Sequence, residues 1–148
     1  MLQPSFAVAA RRHHGDAEFL FTDQRHVTAD HLAGLAAECG LKAIFLRYGG
    51  ATLNQVDKPV LVTPDTGKEK ALGHVDKLWN ELPLIIQGRS APLFTTLIAR
   101  PAPFATWDVS DRYSDGTTIT AECAEQHLDV SRQILGLLEQ AEREGTLP

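Results

Sequence analysis

The sequence predicts an all-α fold, an up-and-down helical bundle of four long helices plus one short helix, as a single domain over residues 1–148. Three observations predict it. Apolar residues recur at spacings of three, four and seven along most of the chain, the period of a helix that buries one stripe. The segment HLAGLAAECGLKAIFL, residues 31–46, is apolar nearly all round, as a central helix would be. No sustained alternation of apolar and polar residues competes with the helical period.

The first helix is expected over 5–24. Ser5 can cap it by accepting from the orphan amides of the first turn. Phe6, Ala10, Ala17, Leu20 and Phe21 supply its core stripe, while Gly15 interrupts the pattern. The second helix is expected from about Ala29 to Tyr48, capped by Thr28 or Asp30. Gly49-Gly50 ends it, because glycine accepts the left-handed conformation found at helix C-termini. Its apolar surface leaves one polar seam of His31, Gly34, Glu38 and Lys42. Residues 49–66 read as a loop in which PVLV could pair briefly as an edge strand, bracketed by Pro59 and Pro64.

A third helix is expected from about Lys68 to Leu82, with Leu72, Val75, Trp79, Leu82 and Ile86 facing inward. Pro83 should kink or end it, since proline lacks the amide hydrogen. Ser90 should cap a short fourth helix with Pro92 in its first turn and Leu93, Phe94, Leu97 and Ile98 inward. Residues 100–118 form a long connection. Its aromatics Phe104, Trp107 and Tyr113 suggest a segment that packs down onto the bundle. The last helix is expected over about Thr120–Glu144, with Cys123, His127, Val130, Ile134, Leu137 or Leu138, and Ala141 as its stripe. Gly145 should end it.

Composition narrows the function classes. The chain is 43% hydrophobic and 22% charged, ordinary for a globular protein. A net charge of −5 argues against general nucleic-acid affinity, though not against a local basic patch. Cys39 and Cys123 read as buried thiols rather than a disulfide, in keeping with a reducing cytoplasm. No signal-peptide pattern is expected, because the basic residues follow the first apolar run. No run is apolar and long enough to cross a membrane.

Several residues carry possible chemistry. Glu38 and Lys42 are four apart in the favourable helical order. They read either as a half-buried ion pair or as a carboxylate orienting a site. In either case Glu38 needs a partner such as Lys42, Arg112 or Tyr113, because an isolated buried charge is costly. Arg25 and His31 have the chemistry for phosphodiesters: a cation that steadies phosphate and an imidazole that moves protons. They also suit an ordinary polar turn between helices. Trp107, Arg112 and Tyr113 can stack a base and hold its phosphate, or anchor the long connection. His13, His31, His74 and His127 fall on four different long helices, but no ligand-spaced pair supports a metal, so neither metal nor cofactor is expected. His127 lies one turn after Cys123. A cysteine–histidine nucleophile would need a third, orienting group, and the sequence offers no visible candidate.

The order of motifs carries a resemblance. RRHHGDAEFLF leads through TDQRHVTAD into HLAGLAAECGLKAIF, with AAECGLKA the most specific piece. HVDKLWNEL and WDVSDRYSDGT follow in turn. This succession resembles the HEPN (higher eukaryotes and prokaryotes nucleotide-binding) family over nearly the whole chain. The resemblance implies a dimerising helical bundle that binds nucleotide or RNA. It also implies a possible nucleotidyltransferase-type partner protein and a stress, defence or toxin–antitoxin setting. Ribonuclease members carry Arg-x4-6-His on a late helix. Here Arg112 is followed by no histidine until His127, and the only matching spacing is Arg25 to His31, between the first two helices. The resemblance therefore implies a non-catalytic homodimeric module, with Glu38 as the polar residue of the central helix. The alternatives are a ribonuclease toxin with a displaced site at Arg25, His31 and Glu38, a metal-dependent bundle enzyme using histidines, or a purely structural interaction module.

Overall fold

In the computed structural model the described residues are 4–85, 92 and 94–144. Ile86, Ser90, Leu93 and Gly145, to which the sequence assigns core or capping roles, lie outside them. Among the described residues, α1 (Phe6–Thr22), α2 (His26–Tyr48), α3 (Val75–Ile85), α4 (Thr95–Ile98) and α5 (Ala121–Glu144) make a largely helical fold. A small antiparallel sheet of β1 (Thr52–Leu53), β2 (Pro59–Val62) and β3 (Glu69–Ala71), in that order, is added to it.

The α1–α2 turn is tight. Gln24 takes a left-handed φ of 64°. The amide of Asp23 donates to the Phe19 carbonyl, that of Gln24 to Phe21 and that of Arg25 to Leu20. This is the bonding pattern that closes a helix with one left-handed residue, a place glycine usually takes. Helix α1 starts where the sequence places it, but neither helix start has the expected side-chain cap. Ser5 stands at the N-cap of α1, but its side chain makes no capping bond. Helix α2 begins before Thr28, with Arg25 at its N-cap. Asp30 is therefore inside the helix, where its carboxylate has another use. Gly50, at φ 74°, ends α2 as its position implies.

Helix α2 is central. It packs along α1 and α5 and also meets α3. Ala29, Ala33, Ala36, Ala37, Leu41, Ile44 and Phe45 are all buried on it. Small residues let its neighbours approach closely. A Cβ at Gly40 would stand 2.6 Å from Ile134 Cγ2 on α5. The main core gathers Leu41, Phe45, Leu78, Phe94, Phe104 and Ile134, among others. Ala17, Ala33 and Leu128 form a smaller cluster.

The sheet corrects the all-α expectation. Thr52 pairs with Val60, and Val60 with Ala71. The strands are two to four residues long, too short to show a period of two. Pro59 opens β2, where its missing amide hydrogen is harmless, and its carbonyl accepts from Leu72. Asn54 Oδ1 accepts from the amides of Val56 and Lys58, closing the first hairpin. Lys68 to Ala71 thus belong to a hairpin and its turn, and the third helix starts only at Val75. Its residues Val75, Trp79 and Leu82 are buried as expected, and so is Leu72, which lies ahead of the helix. Pro83 sits inside α3 and does not end it. The long connection packs down through Phe104 and Trp107. It then forms a short 3-10 helix, Val109–Tyr113, whose cap is Asp108.

Candidate functional site

Three groups of polar side chains meet around α2. The first answers the polar seam. Glu38 is buried and its carboxylate has three partners. Oε2 accepts from Lys42 Nζ at 3.0 Å. Oε1 faces His74 Nδ1 at 3.0 Å and accepts from the Val75 amide at 3.2 Å. Val75 is the first residue of α3, so the carboxylate also sits where the helix dipole favours negative charge. Of the partners that the sequence suggests for Glu38, Lys42 is the one that it meets. Arg112 and Tyr113 lie elsewhere, on the 3-10 helix.

The second group lies nearer the start of α2. His31 stacks on Trp107, with ring centroids 5.5 Å apart and planes 12° from parallel. The Trp107 indole donates to the Asp30 carbonyl at 3.2 Å and presses on Gly34, where any Cβ would collide with it. Trp107 is 1% exposed, so it anchors the connection instead of offering a free face. Arg112 lies over the ring of Tyr113 at 4.8 Å, and Tyr113 is 78% exposed. Among the described residues, His31 Nδ1 is buried with no hydrogen-bond partner. Burial, and then the Arg112 charge, hold the His31 imidazole below its usual pKa. Arg25 is not brought into this group by a bond; its Nε donates to Asp23 at 2.9 Å.

The third group is the one that sequence reasoning missed. Asp30 Oδ1 lies 2.5 Å from His127 Nδ1, and both side chains are 2% exposed. The other ring nitrogen, Nε2, lies 3.0 Å from the Pro103 carbonyl. A carbonyl only accepts, so Nε2 carries a hydrogen. A proton is then shared between Nδ1 and the carboxylate. Phe104 stacks on the imidazole at 4.9 Å. Cys123 Sγ lies 3.9 Å from the same Nδ1, and Thr106 Oγ1 is 3.8 Å from that sulfur. Comparison with known proteins found no match to the chain among family models, curated proteins or solved structures.

Asp30 is thus an orienting group for His127, yet the arrangement does not build a nucleophile. The carboxylate and the sulfur converge on one nitrogen, while the other is held by a carbonyl. Burial raises the pKa of the Cys123 thiol. Burial, followed by the nearby Glu38 charge, raises that of Cys39 to about 11. Neither is an activated thiolate. The histidines do not gather at one level either: His74 stands just ahead of α3 on Glu38, His31 on Trp107 and His127 on Asp30. One signal in the sequence pointed to the Asp30–His127 pair. Both residues fall among apolar helical neighbours, and a buried polar group requires a partner.

Proposed function

We propose that this chain is a HEPN-like, non-catalytic helical module that binds a nucleotide or an unpaired RNA base at the Arg112–Tyr113 corner. The carrying observation is the exposed Tyr113 ring with the Arg112 guanidinium over it. An aromatic face and a cation side by side suit a base and its phosphate. His31 is close enough to feel the Arg112 charge, which after burial is what holds its pKa down. A non-catalytic role is favoured because three of the groups with reactive chemistry are already engaged, Glu38 by three partners, Arg25 by Asp23 and His127 by Asp30, while His31 is stacked on the buried Trp107. The module would act as a homodimer in the cytoplasm, with a nucleotidyltransferase-type partner in a stress, defence or toxin–antitoxin setting. Among the described residues no helix is long and apolar enough to cross a membrane.

The test is a fluorescence titration of the full chain with mononucleotides and with short single-stranded RNA. Binding should be saturable and should weaken by at least about tenfold in Arg112→Ala and in Tyr113→Ala, the scale of one lost stacking or phosphate contact. The thermal midpoint should stay as in the wild type. RNA cleavage by the purified protein that disappears in Arg25→Ala or His31→Ala would overturn the reading.

A further inference from the structure

We propose that Asp30, Cys123 and His127 form a binding site for a divalent transition-metal ion of the zinc type, linking α2 to α5. One carboxylate oxygen, one thiol sulfur and one imidazole nitrogen lie within 4.8 Å of one another. Mixed oxygen, nitrogen and sulfur ligands are what zinc accepts, in contrast to the all-oxygen sets of magnesium and calcium.

An ion at the centre of the three needs shifts of the side chains, including closure of the Asp30–Cys123 pair, which like the others lies within 4.8 Å. Zinc holds nitrogen and carboxylate oxygen at about 2.0–2.2 Å and sulfur at about 2.3 Å, so tetrahedral neighbours stand about 3.2–3.6 Å apart. The Cys123–His127 separation of 3.9 Å is within a few tenths of that. The Asp30–His127 pair, at 2.5 Å, must open by less than about 1 Å. Zinc forms one bond each to Asp30, His127 and Cys123; the proton that Asp30 and His127 share and the Cys123 thiol proton both leave to solvent.

Two features separate this cluster from a simple buried ion pair. First, two potential ligands converge on one ring nitrogen, Nδ1 of His127, where a single proton can serve only one of them. Second, Nε2 donates to the Pro103 carbonyl. That is the outer contact which fixes a metal-binding histidine's tautomer and leaves its other nitrogen free to ligate. Cys123 and His127 are one helical turn apart on α5, so a single face presents both. Cys123 is only half-buried, so the cluster has one member partly open to solvent. The site is independent of the Arg112–Tyr113 corner and does not rest on nucleotide binding.

The test uses the full chain purified without a histidine tag, titrated with cobalt(II) alone and then with zinc(II). Cobalt should bind in a one-to-one ratio and give the visible bands of a tetrahedral ion, together with a sulfur-to-cobalt charge-transfer band. Zinc should bleach both and raise the thermal midpoint. Cys123→Ala should lose the charge-transfer band and bind zinc at least about tenfold more weakly, whereas Cys39→Ala should behave as the wild type. Cys123 is not in the sealed core, so its variant should fold, whereas His127→Ala strips a fully buried side chain. A wild-type chain that gives no tetrahedral cobalt spectrum would overturn the proposal. So would a Cys123→Ala variant with unchanged zinc affinity.

Discussion

Glu38 shows how one residue can be necessary without being reactive. Its carboxylate receives the first amide of α3, the ammonium of Lys42 and the ring of His74. Truncation to alanine would strand a buried amide and a nearly buried ammonium. Glu38→Ala should therefore lose about 3 kcal/mol of unfolding free energy, the cost of breaking a buried charged pair. Glu38→Gln should lose less, because an acceptor oxygen remains for Val75. Urea denaturation of the two variants checks both the loss and its order. Equal stability in all three proteins would show that the pairing is incidental. The Glu38–Lys42 spacing made the pair legible from sequence, but its contact with α3 was not. Val75 lies 37 residues away, and no local rule links the two.

Among the elements, α2 is decided by its small residues as much as by its large ones. Gly34 leaves the space that the Trp107 indole occupies, and that indole ties the long connection to the Asp30 carbonyl. Gly34→Ala should push the ring outward and cost about 1–3 kcal/mol, the range for overpacking a core. A fall in the thermal midpoint with a shift in tryptophan emission would report it. An unchanged midpoint would mean that the connection does not depend on this seat. The helices were readable because their periods run over many residues. Of the sheet only PVLV was readable, as an edge strand where it is the middle one; the rest was not, because the strands are two to four residues long and owe their pairing to turns at Asn54 and around Gly67. The expected start of the third helix at Lys68 failed for the same reason: the local sequence suits a helix, while the hairpin places Val62 opposite Glu69.

At the scale of the molecule, α1 and α5 are held to each other by polar bonds along their outer edge. Arg11 donates to Glu142 at 2.8 Å. His14 bridges Ser131 and Glu18, and Arg132 donates to Glu18 through two nitrogens. Burial alone would raise the pKa of Glu18, but its bonds to Arg132 and the His14 charge outweigh that and lower it. A carboxylate whose folded pKa lies below its unfolded one adds stability above the unfolded value and loses it as pH falls through the folded one. The stability difference between wild type and Glu18→Gln should thus be under about 1 kcal/mol near neutrality, since the pair is exposed. It should fade below about pH 4, the ordinary glutamate range. Chemical denaturation across that interval measures it, and a difference that grows on acidification would contradict the assignment.

The sequence by itself determined that the chain is largely helical, roughly where α1, α2 and α5 lie, that α2 is central and that Glu38 needs a partner. Each of these follows from periods and burial costs that act over neighbouring residues. Only the tertiary structure decided which polar groups meet. It took Asp30 from an expected cap to a buried contact with His127, 97 residues away, and it set Cys123 beside that pair. It also made Trp107 a seat for His31 and left Tyr113 outside. Such meetings depend on how α5 and the connection pack across α2, and the spacing of residues along the chain carries no record of that.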